Sequence, residues 1–542
     1  MAKLKDIANS KSFKDFTKFN QIYIDKTIQI FSLIKARRIF LYRPRRFGKS
    51  TILDTIATLF EYGVDPYFKD TWIYDKWEDT TYPILRFSFV KYPSNDVEEF
   101  KFGFCKNISD FIDKLGFKNF NKTLPKEPFL YLDELFKVLE IENTSIVILI
   151  DEYDCQLTAN INNKELYEKY QEELKRIYGS IKDVNEIRFL AITGVTRLKD
   201  VSIFSVGSDV LDVSYAHNIA TISGFTREEI AKYYIDYLNL GVSLEKNKEL
   251  TDVTNEERED LIDRMAQEYN GYSFDRQNKL KVFSTFSVNQ FFSSFLSEEC
   301  VEFGDYWFDN GGLPSILANY LKTHTIDLEE YQSEEISVSY DNFLNPTSLL
   351  SMDQKVLMTQ TGYLTLKSVL KATKPLNVGF PNKEVFRALI RLTFVKLFGF
   401  NIKLSDSSLN NLENGSNEDI KNEFISIIQT TPYDHNPIDK ETILRLLVYM
   451  YFVGAGVNVR PEFPNLKGRS DLELEFENRR IVIEFKYADN ENDAKEKLIQ
   501  AQEQIKLRDY GNHKPSKECL VFALVYDGEK KEVKYFEYVP KD

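Results

Sequence analysis

Cysteine and histidine are scarce in this sequence, and long apolar segments are missing. The 542 residues include four cysteines and four histidines. No two cysteines are spaced as C-x-x-C, which excludes the usual zinc sites and a disulfide framework and is typical of a reducing cytoplasm. The most apolar stretch, residues 443–457, contains Arg445 and is too short to span a bilayer. The N-terminus lacks the apolar core of a signal sequence. We therefore expect a cytoplasmic protein with no membrane partner.

Positive charge is also in deficit. The chain has 70 Lys and Arg against 84 Asp and Glu, a net charge of −14 at pH 7. This balance excludes a chain that coats nucleic acid by charge alone, but it leaves room for a local basic groove. With 43% hydrophobic and 28% charged residues, the composition is that of an ordinary globular protein. The length indicates about two to four domains.

A stretch near the N-terminus has the most specific local pattern. Residues 39–42 form an apolar run that predicts a buried strand, and residues 51–62 have the spacing of an amphipathic helix. The loop between them ends in Gly48-Lys49-Ser50. A strand, a tight loop ending in Gly-Lys-Ser and a helix, in this order, are typical of the phosphate-binding loop of nucleotide enzymes.

The residues at the end of this loop have expected contacts with ATP. Backbone N–H groups from Gly48 to Thr51 would hold phosphate oxygens at the start of the helix. Lys49 would reach the β and γ phosphates, and the Ser50 hydroxyl would bind Mg²⁺. The full pattern has glycine five residues before Gly48, where this chain has Arg43. Glycine allows a positive φ there, so we expect a different loop geometry or affinity.

Two acids follow a second apolar run. Residues 146–150 are all apolar and precede Asp151 and Glu152, which predicts a buried parallel strand with carboxylates at its C-terminal end. Ligands of open α/β sheets bind at this edge of the sheet. Asp151 could hold Mg²⁺, directly or through water. Glu152 could orient and deprotonate the water that attacks ATP.

These segments resemble a bacterial AAA-ATPase-like family whose members often carry a C-terminal PD-(D/E)XK nuclease-like domain. The resemblance covers about residues 10 to 320. It rests on the Arg-Pro-Arg-Arg-Phe-Gly-Lys-Ser loop, the Ile-Asp-Glu-Tyr-Asp strand, and six further segments: Tyr23–Thr27, Thr193–Arg197, Ser202–Ser205, Gly224–Glu229, Tyr269–Phe274 and Tyr306–Phe308. It implies that Arg43 is an ordinary feature of this family.

The resemblance also implies roles for three residues beyond the two patterns above. Thr193 ends a third apolar strand, residues 187–192, and would sense the γ phosphate. Arg197 could face the nucleotide in its own chain or across a subunit boundary, which would require a homo-oligomer. Arg46 is a further nucleotide-binding candidate. Ordinary turn chemistry is the alternative for Thr193 and Arg197.

The last hundred residues have the pattern of a second α/β domain. Residues 472–476 alternate strictly between apolar and polar, which predicts a strand with one buried face. A turn separates them from residues 481–486, the expected hairpin partner. The other predicted elements are helices 441–453 and 494–510 and strands 457–463, 520–526 and 533–539.

Asp471, Glu484 and Lys486 in this region are spaced as D-x12-E-x-K. Glu484 and Lys486 are two apart in a strand, so they point to the same face, and hairpin pairing can bring Asp471 there. Two carboxylates can bind Mg²⁺ or Mn²⁺, which activates water against a phosphodiester. Lys486 could then stabilise charge on the phosphate. The alternatives are an amphipathic edge strand with a surface ion pair and a nuclease-like fold without activity.

This arrangement resembles the PD-(D/E)XK nuclease core. In the DUF1703-type branch of that family, a helix glutamate before the first strand often joins the metal site. Glu441 matches that position, and Glu462 is a second candidate. Gln504 matches the glutamine that the family carries on the helix after the hairpin.

The predicted fold class is therefore α/β, with a P-loop AAA-like parallel sheet, a helical lid, a helical middle region and a C-terminal α/β PD-(D/E)XK nuclease-like domain. We expect the ATPase core over residues 1–222, the lid over 223–325, the middle region and linker over 326–417, and the nuclease-like domain over 418–542. The polar segment 405–417 has no periodic apolar face and is expected to be the linker.

The expected function is ATP binding and hydrolysis that controls a metal-dependent nuclease. Nucleic acid, expected to be DNA, would be the substrate, and the combination of modules suggests defence against phage or mobile elements. One alternative is a nucleotide-dependent switch or scaffold whose C-terminal domain binds nucleic acid or protein without cleaving it. Another is a signalling ATPase that assembles on a trigger.

Overall fold

A computed structural model describes most of the chain. The described residues are 4–7, 12–201, 209–298, 300–309, 315–320, 324, 335–398, 404–429, 438–465, 468–508 and 517–540. They form two compact units, Met1–Val385 and Phe386–Asp542. The four-part division of the chain drawn from the sequence stays a prediction.

The first unit is built on a five-stranded parallel sheet with the order β2-β3-β4-β1-β5. Its strands are β1 (Arg38–Tyr42), β2 (Ile84–Ser88), β3 (Ile146–Asp151), β4 (Ile187–Gly194) and β5 (Leu211–Asp212). The predicted strands at 39–42, 146–150 and 187–192 are thus confirmed. Tyr42 pairs with Gly194, and Ile150 pairs with Ile192. The carboxyl ends of β1, β3 and β4 therefore meet at one edge of the sheet, where ligands of such sheets bind.

Helices cover this sheet because its central strands are buried on both faces. They are α1 (Phe13–Lys18), α2 (Thr27–Lys35), α3 (Lys49–Tyr62), α4 (Val97–Leu115), α5 (Pro128–Ile141), α6 (Cys155–Ala159) and α7 (Lys164–Ile181). The apolar side of α3, with Ile52 and Ile56, packs in one cluster with Ile39 and Leu41 of β1. The helix predicted after the Gly-Lys-Ser loop is confirmed, and this packing fixes its N-terminus at the sheet edge.

A helical layer follows the sheet in the chain. It contains α8 (Arg227–Tyr233), α9 (Ile235–Lys246), α10 (Asn255–Tyr269), α11 (Thr285–Glu298), α12 (Tyr306–Asp309) and α13 (Ser315–Tyr320). Within the predicted helical lid, α8 and α9 are separate helices that meet at Tyr234, which leaves helical geometry (φ −108°, ψ 19°). The Tyr234 ring is buried and stacks on Phe292 at 4.8 Å. The break between α8 and α9 therefore lies at a residue whose ring is packed in the core.

The region expected to be helical after this layer also contains a small antiparallel sheet. Its strands are β6 (Ile336–Val338), β7 (Thr365–Leu366) and β8 (Leu376–Gly379), in the order β6-β8-β7. The accompanying helices are α14 (Tyr340–Leu344), α15 (Gln354–Thr361) and α16 (Lys383–Phe398). Strands of two to four residues are too short for a periodic pattern to reveal.

The second unit contains a mixed five-stranded sheet with the order β13-β12-β11-β10-β9. Its elements are α17 (Asp406–Asn414), α18 (Asn417–Gln429), α19 (Glu441–Gly454), β9 (Asn458–Asn465), β10 (Gly468–Glu475), β11 (Arg479–Ala488), α20 (Glu491–Arg508), β12 (Glu518–Asp527) and β13 (Glu532–Tyr538). Strands β11 and β12 pair in parallel, and α20 is the crossover that a parallel pair requires. The helices and strands predicted here are confirmed.

The segment 405–417, which was expected to be a linker without a periodic apolar face, contains a helix. Residues Asp406–Asn414 form α17, whose N-cap Ser405 accepts a hydrogen bond from the backbone N–H of Ser408. Leu412 is fully buried, and Arg479 Nη1 donates to the Gly415 carbonyl at 2.8 Å, so tertiary contacts as well as the cap hold this polar helix. Among the described helices of the chain, none is both long and apolar enough to cross a membrane.

Candidate functional sites

The Gly-Lys-Ser loop joins β1 to α3 and turns sharply at its end. Gly48, the N-cap of α3, has φ +77°, and a Cβ added there would meet no atom within 4 Å. Lys49 is 6% exposed. Its Nζ donates to the carbonyl oxygens of Arg43 and Pro44, each at 2.9 Å. The loop therefore closes around its own lysine, and open space remains at the helix N-terminus, where backbone N–H groups attract anions.

Burial changes the charge behaviour of this lysine. Removal of the ammonium from water lowers the pKa of Lys49 to about 8, although the nearby carboxylates of Asp151, Glu152 and Asp154 raise it. A phosphate group would also favour the charged form of the amine. Lys49 is thus a cation whose charge an anionic ligand would stabilise.

Three predicted residues from separate elements meet beside Lys49. The Ser50 hydroxyl donates to Asp151 Oδ2 at 2.7 Å, and the Thr193 hydroxyl donates to Asp151 Oδ1 at 2.7 Å. They come from α3, β3 and β4, and β3 and β4 are neighbours in the sheet. A hydroxyl and a carboxylate are hard oxygen donors, which Mg²⁺ prefers. These residues therefore fit a magnesium ion held next to the phosphates of a nucleotide.

Asp154 and Tyr153 hold the turn after Thr193, a role that sequence reasoning missed. Asp154 is 2% exposed and accepts hydrogen bonds from the backbone N–H groups of Val195, at 3.1 Å, and Thr196, at 2.7 Å. A Cβ added to Gly194 would lie 2.5 Å from Tyr153 Cδ1. The acidic run after β3 was the available signal, because its third acid faces inward.

Arg43, which replaces the usual glycine, is buried inside the fold. The guanidinium donates to Ser223 Oγ at 2.9 Å and to the Ser214 carbonyl at 2.6 Å, and it lies 4.2 Å over the Phe274 ring. Desolvation lowers the pKa of Arg43 to about 10. Arg43 therefore anchors the loop base to the segments around Ser214, Ser223 and Phe274.

The two other predicted arginines have protein partners. Arg46 Nη1 donates to the Trp307 carbonyl at 2.8 Å, and its guanidinium lies 4.1 Å over Phe286. Arg197 Nε pairs with Asp212 at 2.7 Å, and its Nη1 donates to the Leu344 carbonyl. Glu152 is half-buried with φ +56° directly after β3. The roles of Arg46, Arg197 and Glu152 toward a nucleotide stay predictions.

A cavity of about 130 Å³ opens beside the loop. It lies between α3 and the helical layer, and its lining includes Gly48, Thr51, Lys26, Tyr234 and Asn289. Lys26 Nζ pairs with Glu229 of α8 at 2.6 Å, and burial lowers the pKa of Lys26. The cavity is therefore continuous with the phosphate-binding end of α3 and has both apolar and polar walls.

The second unit brings together the other predicted site. Lys486 Nζ donates to Glu484 Oε1 at 2.8 Å and to the Phe485 carbonyl at 3.0 Å, and Glu441 Oε2 of α19 lies 3.9 Å away. Asp471 Oδ2 accepts from the backbone N–H of Phe485 at 2.9 Å. The hairpin thus places Asp471 next to Glu484 and Lys486, as its spacing predicted.

Arg445 is a member of this site that sequence reasoning missed. It lies on α19 four residues after Glu441, and its Nη1 is 3.3 Å from Asp471 Oδ1. In the sequence it interrupts an apolar run, and its position one helical turn from Glu441 was the available signal. Burial raises the pKa of Glu441, and the nearby cations Lys486 and Arg445 oppose this shift.

The carboxylates of this site are neutralised by internal cations. Among the residues that the structure describes, no group of three or more histidine, cysteine or carboxylate side chains is arranged to hold a metal ion. Glu441, Asp471 and Glu484 therefore do not form such a group of three, and the cations Lys486 and Arg445 lie next to them. The chemistry of these oxygens still fits a divalent cation. The Glu484 carboxylate and the Phe485 carbonyl already accept hydrogen bonds from one cation, the Lys486 ammonium, and oxygen atoms of both kinds are ligands of divalent cations.

The two remaining predicted residues are less informative. Gln504 is half-buried on α20, the helix that packs on the sheet through Ala501 and Ile505. Glu462 lies in β9, and its side chain is outside the described part of the chain.

Comparisons with known proteins agree with this two-part arrangement. Residues 9–204 match the family model described as predicted AAA-ATPase, and residues 439–536 match that of the PD-(D/E)XK nuclease superfamily. These matches confirm the AAA-like N-terminal part and the nuclease-like C-terminal part. With the parallel sheet of the first unit, they confirm the α/β fold class and support nucleotide binding.

Whole-chain likenesses are more distant. An uncharacterized protein in the vnfD 5′ region of Azotobacter chroococcum mcd 1 is 26% identical over 480 residues, which is 86% of this chain and 85% of that protein. The crystal structure of Cdc6p from Pyrobaculum aerophilum covers 68% of this chain and 91% of its own at 12% identity, with a TM-score of 0.23. The ORC2 protein of Aeropyrum pernix, in ADPNP–ADP complexes, covers 66% and 87% at 12% identity, with a TM-score of 0.25. Neither structural likeness supports a statement about this chain.

Proposed function

We propose that this chain binds and hydrolyses ATP in its first unit and cleaves nucleic acid phosphodiesters in its second, and that the nucleotide controls cleavage. The observation that carries the ATPase part is the meeting of Ser50, Asp151 and Thr193 beside the buried Lys49. The Asp151 carboxylate accepts from both hydroxyls there, and oxygen donors next to a buried ammonium suit the Mg²⁺ and phosphates of a nucleotide triphosphate.

Each residue of the first unit has a defined task in ATP hydrolysis. The N–H groups at Gly48 to Thr51 bind the phosphate chain, and Lys49 neutralises charge that develops on the β and γ phosphates. A Mg²⁺ ion held by Ser50 and Asp151 would further neutralise phosphate charge. Glu152 orients the attacking water and accepts its proton.

In the second unit, Asp471, Glu484 and the Phe485 carbonyl would hold a divalent cation, and DNA is the proposed substrate. Mg²⁺ or Mn²⁺ there would polarise the phosphodiester and lower the pKa of a bound water. Lys486 moves from Glu484 to the scissile phosphate and stabilises its developing charge. Glu441 accepts a proton, a role that suits a carboxyl whose pKa is raised by burial.

A cleavage assay with plasmid, linear duplex and single-stranded DNA tests the nuclease. The full chain is incubated with Mg²⁺ or Mn²⁺, with and without ATP, beside Asp471→Ala. The matched control is Asp489→Asn, which changes an exposed carboxylate on the same unit. We expect Asp471→Ala to lose at least a hundredfold in rate and the control to keep it. Equal cleavage by the parent and Asp471→Ala would refute the proposed site.

ATP control is tested with two variants of the first unit. Lys49→Ala should abolish ATP binding, and Glu152→Gln should retain binding but lose hydrolysis. A cleavage rate that responds to ATP in the parent and not in Lys49→Ala supports control, whereas an equal response refutes it. A defence role would show as phage or plasmid survival that depends on both Lys49 and Asp471.

A nucleotide-dependent switch is a second candidate, because internal cations neutralise the carboxylates of the second unit. In that case the C-terminal domain binds nucleic acid or protein without cleavage. Asp471→Ala would then change little, and particle size measured with and without ATP would reveal assembly.

A further inference from the structure

Two short segments of the first unit form a cationic surface on this acidic chain. The first segment carries Arg276, Lys279 and Lys281, and the second carries Lys367, Lys371 and Lys374. Neither 276–281 nor 367–374 contains an Asp or Glu residue. Arg276, Lys279, Lys371 and Lys374 are exposed. We call these six residues the basic patch.

Backbone contacts bring the two segments together. The N–H of Leu370 donates to the Arg276 carbonyl at 2.8 Å, and Lys281 Nζ donates to the Leu366 carbonyl at 3.3 Å. Burial and the nearby charge of Lys367 lower the pKa of Lys281 to about 8. Like charges held close together repel, so the fold maintains this surface at a cost that a polyanionic ligand would remove.

Carboxylates near the patch are already engaged. Asp275 is fully buried and accepts from the N–H groups of Gln277 and Lys279, each at 2.9 Å, which shapes the first segment. Glu335, beside β6, accepts from the Asn377 side chain at 2.6 Å. The exposed charge of the two segments is therefore positive.

Residues that precede each segment in the chain contact the phosphate-binding loop. The Phe274 ring lies 5.2 Å from the Phe47 ring and under Arg43. A Cβ added to Gly362 would lie 2.7 Å from Pro44 Cβ. A ligand on the patch would thus bind close in the chain to residues that contact the nucleotide-binding loop.

We propose that the basic patch binds the phosphodiester backbone of nucleic acid and that this binding is coupled to ATP binding. The proposal rests on the proposed function, since a nuclease substrate is the polyanion that this chain would meet. Lysine-rich surfaces contact phosphates without reading bases, so binding is expected to be independent of sequence and strongly dependent on salt.

DNA binding is measured by fluorescence anisotropy with labelled 30-mers of duplex DNA, single-stranded DNA and RNA. The full chain carries Asp471→Ala, so that cleavage cannot interfere and a missing nuclease activity would not affect the result. Lys371→Glu with Lys374→Glu is the test variant. Lys118→Glu with Lys175→Glu is the control, because it makes the same charge change at exposed lysines elsewhere in the first unit.

We expect the test variant to bind at least tenfold more weakly than the control and to lower the slope of log Kd against log salt by about 2. The nucleic acid that loses most affinity identifies the form recognised. Equal affinities for test and control variants would overturn the proposal, while their ATP affinities would still report on the ATPase site. Loss of binding to anionic lipid vesicles, with nucleic acid affinity unchanged, would also overturn it.

Coupling has its own readout. The affinity for ATP should change at least threefold when saturating DNA is added to the control variant, and it should not change in the test variant. Reciprocity of linked binding requires ATP to change DNA affinity by the same factor. An ATP affinity of the control variant that is the same with and without DNA would refute the coupling.

Discussion

ATP affinity should fall as pH rises through about 8, because Lys49 must be charged to bind phosphate. The pKa of Lys49 in the free protein is about 8, well below its ordinary value of 10.5. Phosphate oxygens favour the ammonium, so ATP binding should raise this pKa above the range tested. Below pH 8 the amine is already protonated, and above it each binding event must also take up a proton.

The expected change follows from proton linkage. The apparent Kd is multiplied by one plus ten raised to the difference between pH and pKa. Between pH 7 and pH 9 this factor grows about tenfold, or about 1.4 kcal/mol. At pH 8 ATP binding should take up about half a proton, since half of the lysines are then neutral.

Isothermal titration calorimetry with Mg²⁺ and a non-hydrolysable ATP analogue at pH 7, 8 and 9 measures both quantities. Two buffers with different ionisation heats give the proton uptake at pH 8. Lys49→Arg is the control, because a guanidinium stays protonated over this range and should give a nearly flat profile. A parent Kd that is equal at pH 7 and pH 9, without proton uptake, would refute the role assigned to Lys49.

Two further predictions concern stability and metal binding. Gly271→Ala should destabilise the first unit by about 3 kcal/mol in urea titrations, because at φ +96° the new Cβ would lie 2.0 Å from the Pro381 carbonyl oxygen. The control Gly63→Ala, at φ +73° with open space around it, should cost about 1 kcal/mol. Equal losses of stability in the two variants would contradict the steric argument. Lys486→Met should tighten Mn²⁺ binding about tenfold by calorimetry while cleavage falls, because the Lys486 ammonium is hydrogen-bonded to the Glu484 carboxylate in the parent. Unchanged or weaker Mn²⁺ binding would show that the ammonium does not compete with the metal.

Arg43 and Arg445 illustrate how far the sequence alone could lead. The sequence marks Arg43 only as a departure from glycine. Its burial over the Phe274 ring depends on segments more than 150 positions away in the chain. Arg445 looks like an interruption in an apolar helix, and only the tertiary structure shows that its Nη1 lies 3.3 Å from Asp471 Oδ1. Contacts between distant segments leave no periodic signal, so pattern reasoning could place Arg445 one helical turn from Glu441 but could not identify the partners of either arginine.

Local order was available from the sequence, because short-range periodicity and turn chemistry act within about ten residues. The strand, Gly-Lys-Ser loop and helix, the acids after β3, and the spacing of Asp471, Glu484 and Lys486 were all predicted in this way. Only the tertiary structure decided that Ser50, Asp151 and Thr193 share hydrogen bonds and that internal cations cover the carboxylates of the second unit. It also decided that Arg276–Lys281 and Lys367–Lys374 form one basic surface. The reason is physical: strand order and segment pairing depend on packing of the whole core, which no single stretch of sequence contains.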